Sequence, residues 1–166
     1  MRHAAHICAY LVTYGRPSLA DLGDEHLALE PAPNAKTAGW ILGHLCVSGD
    51  YVRRKLACVA MTPRDWGPVF APRTLPSRSR ADYPAMHELT STFERVYLDL
   101  ARIAPDLPDE VLNAENPLEY SRERFPTAGQ FFAYIMTGHL GYHLGQLSGW
   151  RAAAGLALRP GATSDV

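Results

Sequence analysis

The sequence predicts an all-α protein: a four-helix bundle with long connections between its helices. Three observations carry this. Apolar residues recur at spacings of three and four along four long stretches. Residues that begin and end helices stand at the edges of those stretches. No segment alternates polar and apolar residues as a half-buried strand would. At 166 residues the chain is the size of one domain, expected to run over 1–166. Its 47% hydrophobic content is enough for a core and excludes disorder as the main state.

The first helix is expected from His3 to about Leu29, with an interruption at Gly15–Pro17 or Gly23. Pro31-Ala-Pro33-Asn34 then makes a loop. Thr37 is placed to cap a second helix running to about Ala60. Residues 61–82 hold four prolines and four arginines without a sustained period and read as a loop or extended crossover. Asp82 is placed to cap a third helix over 83–104, whose Met86, Leu89, Phe93, Val96, Leu100 and Ile103 fall on one face. Residues 105–126 are rich in proline and acid, with six Asp/Glu against two Arg. Thr127 can cap a fourth helix that ends near Gly155, a residue suited to the left-handed position after a helix. Both connections have 22 residues, where bundle links usually have about 2–8. At least one is long enough to cross the bundle and join parallel helices.

Sixteen Lys+Arg against seventeen Asp+Glu leave a net charge of −1, so no broad field exists to attract nucleic acid or an anionic membrane. The one long uncharged stretch, Ala128 to Trp150, has only 12 apolar residues among 23 and reads as a buried helix rather than a membrane span. The first residues lack the layout of a secretory leader. Three cysteines make no disulfide framework, and a cytoplasmic location is expected.

The chemistry is carried by histidine. His139 and His143 stand four apart, about 40° from each other on one helix face and one turn apart. His44 sits in a similar apolar setting on the second helix. The fourth helix has no acid and the second has only Asp50. Neutral imidazole suits such an interior, and it is a common ligand for zinc, nickel or iron. Spacing alone leaves two readings: a metal clip, or hydrogen-bonded core imidazoles. His3, His6, His26 and His87 read as ordinary surface or packing residues. Leu140 stands where a zincin peptidase needs glutamate, and the inward Glu-x-x-His motifs of di-iron bundles are missing.

Two stretches resemble the DinB/YfiT-like family of metal-binding four-helix bundles. Pro31-Ala-Pro-Asn-Ala-Lys-Thr-Ala-Gly-Trp-Ile-Leu-Gly-His44-Leu is similar to that family's loop and second helix. Thr127-Ala-Gly-Gln and, further on, His139-Leu-Gly-Tyr-His143-Leu-Gly-Gln146 are similar to its last helix, with Arg151 following. Many members have glutamate directly after the first histidine of the pair, where this chain has Leu140. The resemblance implies that His44, His139 and His143 hold one divalent metal ion, zinc or nickel before others. It also implies a transferase that uses a low-molecular-weight thiol against small electrophiles, and a homodimer. The catalytic residue is not identified; a metal-bound water or thiolate is expected to do the work. Two alternatives stay open. One is a non-catalytic metal- or ligand-binding bundle associated with stress, and the other a metal-dependent hydrolase or isomerase.

Helical arithmetic at 100° per residue sketches the wall of such a site. Phe132 and Trp150 fall between the two histidines of the last helix, with Gln146 and Tyr142 beside them. Trp40, Ser48 and Tyr51 lie within about 40° of His44. Trp40, Tyr51, Gln146 and Trp150 are the candidates for the substrate pocket. Asp50 points elsewhere, about 120° from His44, and Cys46 lies about 200° away. Arg64, Arg73, Arg78 and Arg80 read as solvated before they read as receivers of an anion. Gly141, Gly145 and Gly149 read as a stripe that admits a close helix neighbour inside the bundle, before a dimer contact.

Overall fold

A computed structural model describes residues 1–157, so residues 158–166 of the expected single domain lie outside the described residues. The described residues are helical, with α1 (Arg2–Leu19), α2 (Ala38–Lys55), α3 (Trp66–Phe70), α4 (Met86–Ile103) and α5 (Asp109–Asn113). Then come α6 (Ala128–Tyr134), a π-helical turn (Ile135–His139) and α7 (Leu140–Ala153). The only strand-like feature among them is an isolated bridge, Glu115 to Thr127. α1 packs on α4, α4 on α2, α2 on α7, and α7 on α1, so the long helices close a ring. Its interior holds fully buried Cys8, Val12, Leu45, Phe93, Leu100 and Leu140.

α1 is not broken at Gly15–Pro17 but ends at Leu19, ten residues before the expected end. Pro17 sits in the last turn, where its missing N–H takes the usual helical partner from the Thr13 carbonyl, and the helix ends two residues later. Gly15 serves packing instead: a Cβ there would lie 3.0 Å from Leu144 of α7. Beyond α1 the Gly23 N–H donates to Nδ1 of His26, and a short 3₁₀ turn follows.

α2 starts as expected, with Thr37 Oγ1 accepting from the Trp40 N–H at 3.2 Å. It stops at Lys55 rather than Ala60. Ala57 takes φ 58°, Cys58 N–H bonds to the Arg53 carbonyl at 3.1 Å, and Ala57 N–H to that of Arg54 at 3.2 Å. This is a Schellman closure, which normally uses glycine at the left-handed position. The last helix ends the same way with the expected glycine: Gly155 has φ 73°, and Leu156 N–H bonds to the Arg151 carbonyl at 2.9 Å.

α4 begins at Met86, and Asp82 does not cap it. The Met86 N–H donates instead to Asp24 Oδ1 at 2.7 Å, from the segment after α1, and Arg80 pairs with the same carboxylate. Asp82 accepts from Ser77 Oγ. The two connections are not featureless; they carry α3 and α5 and short 3₁₀ turns. The second is organised by buried Asn116, which donates to Ser121 Oγ and the Phe125 carbonyl, both at 2.8 Å. Thr127 caps α6 in a reciprocal box with Gln130.

The glycine stripe does not receive a helix. Gly145 and Gly149 have nothing within 4 Å of a built Cβ, and Gly141 meets only Leu11 at 3.9 Å. No described helix is long and apolar enough to cross a membrane.

Ala57 holds a backbone conformation that costs an L-residue about 1–2 kcal/mol. Glycine removes that strain but adds freedom to the unfolded chain. Ala57→Gly is therefore expected to raise stability by about 0.5–1 kcal/mol, read from the denaturant midpoint at unchanged slope.

Candidate metal centre

Three imidazoles from two helices meet inside the ring. One ligand nitrogen from each of His44, His139 and His143 lies within 4.8 Å of the other two. The nearest approach, Nε2 of His44 to Nε2 of His139, is 3.2 Å. His44 and His143 are buried, and His139 is half-buried. Among the described residues no cysteine or carboxylate joins the group.

Neighbours fix the orientation and protonation of two of the rings. Nδ1 of His44 lies 2.7 Å from the Phe70 carbonyl, which can only accept, so Nδ1 carries the proton and Nε2 keeps its lone pair. Trp40 lies nearly flat on the other side of the arrangement, its ring 4.8 Å from that of His44 at 6°. Lys36 places its ammonium 3.8 Å from the Trp40 ring centre. Nδ1 of His143 donates in the same way to Gln146 Oε1 at 2.7 Å, and Gln146 Nε2 donates to the Tyr142 hydroxyl. His139 has no such support, and its Nδ1 is buried without a hydrogen-bond partner.

All three rings are held neutral. Burial, then the neighbouring His143 and His44, push His139 down to about 3. Burial and His44 push His143 down to about 4, against the opposing bond to Gln146. Burial also lowers His44, partly offset by the Phe70 carbonyl, with Lys36 lowering it further. The residues fit a metal ion. Two nitrogens sharing a tetrahedral ion at about 2.0–2.1 Å would stand about 3.3 Å apart, close to the 3.2 Å seen here. Tautomers fixed by a carbonyl and an amide oxygen are the usual support for histidine ligands.

A cavity of about 620 Å³ opens onto His44 and His139. Val47, Ser48 and Tyr51 of α2 line one side, and Phe131, Tyr134 and Ile135 the other. The Tyr51 hydroxyl donates to the Pro117 carbonyl and ties the second connection to α2. Among the described residues no Asp or Glu lines the cavity.

The four expected pocket residues divide. Tyr51 lines the cavity. Trp40 and Gln146 brace His44 and His143 rather than face the space. Trp150 is elsewhere: its Nε1 donates to the Leu29 carbonyl and its ring meets the edge of His26. Angular arithmetic ignores rise, and Trp150 stands about 16 Å along the helix from His139. Phe132 fails for a different reason. The π turn advances less than 100° per residue, roughly 80–85°, so residues before it rotate. Phe132 turns into the core at 2% exposure, while Phe131, Tyr134 and Ile135 take the cavity face.

Asp50 does point away. Burial alone would raise its carboxyl, but bonds from Met61, Thr62 and Arg53 hold it below the ordinary range. Leu140 is fully buried, and so is Cys46, whose thiol burial pushes well up. Of the four crossover arginines, Arg78 pairs with Glu30 and Arg80 with Asp24, Arg64 is exposed, and Arg73 lines the cavity. The Phe70 carbonyl, Lys36, Arg54 and Arg124 were not legible in advance. A backbone carbonyl leaves no mark in a sequence, Arg124 comes from a connection with no period, and Arg54 stands ten residues beyond His44 on α2.

An all-helical fold with three neutral imidazoles clustered together, two of them lining a cavity, defines a class of helical proteins equipped to bind a metal ion. The model of the DinB superfamily matches residues 16–147, and the chain belongs to that superfamily. No curated protein and no solved structure matches it.

Three measurements check the site. Zinc-loaded protein is expected to hold one ion per chain by elemental analysis, and His44→Ala and His143→Ala to lose it. Gln146→Leu frees the His143 ring and is expected to weaken metal affinity about tenfold, read by chelator competition. Metal-free protein gives a pH signature. The unfolded chain takes up protons near 6.5, the folded His139 and His143 only near about 3 and about 4. Stability from these rings is therefore present above 6.5 and lost as pH falls through that window. The thermal midpoint is expected to drop between pH 7 and 4, with a shallower drop in His139→Gln; identical slopes would contradict the assignment.

Proposed function

We propose that the protein is a metal-dependent enzyme, a thiol-dependent S-transferase acting on small electrophiles, built as a DinB-type four-helix bundle and working in the reducing cytoplasm. The observation that carries this is the cavity opening directly onto His44 and His139. A triad sealed by aromatics would suit a storage or structural site, whereas a triad with two of its ligands facing open space suits a catalytic one.

His44, His139 and His143 would hold one divalent ion, zinc or nickel. When bound, that ion supplies the charge that lowers the pKa of a thiol to give thiolate at neutral pH. The chain's own residues favour a thiol over water as nucleophile. Among the described residues no carboxylate lines the cavity to act as a general base. A thiol starts from a pKa of about 8.5, against about 15.7 for water, so the same ion yields its anion more readily. Val47, Phe131 and Ile135 give the cavity apolar wall, and Ser48 offers a hydroxyl one helical turn from His44.

The test is thiol consumption by zinc- or nickel-loaded protein with 1-chloro-2,4-dinitrobenzene as electrophile. Sulfur forms a bond to the ring carbon, chloride leaves with the electron pair of the broken bond, and the thiol proton passes to buffer. The expected outcome is turnover above background with at least one biological thiol, reduced to background in His44→Ala. Silence with cysteine, glutathione, bacillithiol, mycothiol and coenzyme A would count against the reading.

A further inference from the structure

The chain as a whole is electrically balanced, with 16 basic and 17 acidic residues. The cavity is not. Arg54, Arg73 and Arg124 line it, from three different segments, and among the described residues no carboxylate does. All three are exposed, so their charges ring the mouth, while Val47, Phe131 and Ile135 line the space between mouth and histidines.

These charges are not spent on the protein. Arg54 reaches Asp50 only at 3.7 Å, and that carboxylate already accepts from Arg53, Met61 and Thr62. Among the described residues neither Arg73 nor Arg124 has a carboxylate partner. Arg73 is also held under strain. It has φ 72°, a conformation suited to glycine or asparagine, and its guanidinium lies 5.9 Å from the ring centre of Tyr120, another lining residue. Arg54 lies ten residues beyond His44, roughly 15 Å along α2, so its charge stands well away from the imidazoles.

We propose that the cavity takes a small ligand with an apolar body and an anionic group, carboxylate or sulfonate in type, with Arg54, Arg73 and Arg124 receiving the anion. This rests on the reading of the cavity as the substrate site and adds the charge and polarity of what enters it. Guanidinium groups suit such anions because they donate two parallel hydrogen bonds.

A matched pair of fluorescent probes tests it on the full chain. 8-Anilinonaphthalene-1-sulfonate and N-phenyl-1-naphthylamine share their rings and differ by the sulfonate. The sulfonate is expected to bind about tenfold more tightly, and that advantage to shrink as salt rises. Arg73→Gln/Arg124→Gln is expected to weaken sulfonate binding about tenfold and leave the neutral probe unchanged. Arg64→Gln, whose side chain does not line the cavity, is expected to change neither. Circular dichroism and the thermal midpoint confirm that the variants fold. Equal affinity for the two probes, or sulfonate binding unmoved by the double variant, would overturn the proposal. The readout is ligand charge rather than turnover. Its failure leaves the thiol reading standing, and silence with every thiol leaves the charge discrimination standing.

Discussion

The contact between the Phe70 carbonyl and Nδ1 of His44 is the constraint on which the site depends. It decides which nitrogen of His44 faces its partners, and it comes from a connection rather than from a long helix. Gly43 makes it fit. A Cβ there would stand 2.4 Å from the Phe70 ring, so only a residue without a side chain lets α3 settle against α2. Trp40 then closes on the imidazole from the preceding turn, with its indole N–H bonded to Thr74 of the same connection. The first long link is thus part of the site's frame, as Asn116 and Tyr51 make the second link part of the cavity wall.

The fold was legible wherever a local rule acted alone. Thr37, Thr127 and Gly155 mark helix ends by side-chain or backbone chemistry within a few residues, and each does so in the structure. The reading failed where a distant group or an unusual residue took over. Asp24 supplies the start of α4 across 62 residues, and no local pattern announces that. Ala57 closes α2 in a position where glycine would have given the signal. Among the site residues, the three histidines were visible because imidazoles stand out on helices with no acid or only one. Phe132 and Trp150 were misplaced because the arithmetic assumed an unbroken α-helix and ignored height along it. The π turn that ends at His139 has no sequence signature here, yet it decides which aromatics face the cavity.

The electrostatics of the interior are one-sided. Burial and mutual proximity keep the imidazoles uncharged, so they meet a cation as ligands rather than as competitors. The acids that do lie inside, such as Asp50, are consumed by backbone amides and arginine on the far side of α2. Leu140 belongs to the same pattern: the position beside the first histidine of the pair is given to the core. What remains facing the cavity is apolar surface, a few hydroxyls and a cationic mouth. That division of labour suits a nucleophile activated at the histidines and a substrate oriented by its other end.

The most direct test of the account is X-ray absorption at the metal edge of zinc-loaded protein. Three imidazole nitrogens at about 2.0–2.1 Å, with the outer-shell scattering of intact rings, is the expected result. A first shell of oxygen alone, or one containing sulfur near 2.3 Å, would mean that the ion sits elsewhere, and the three histidines would revert to core residues of a helical protein.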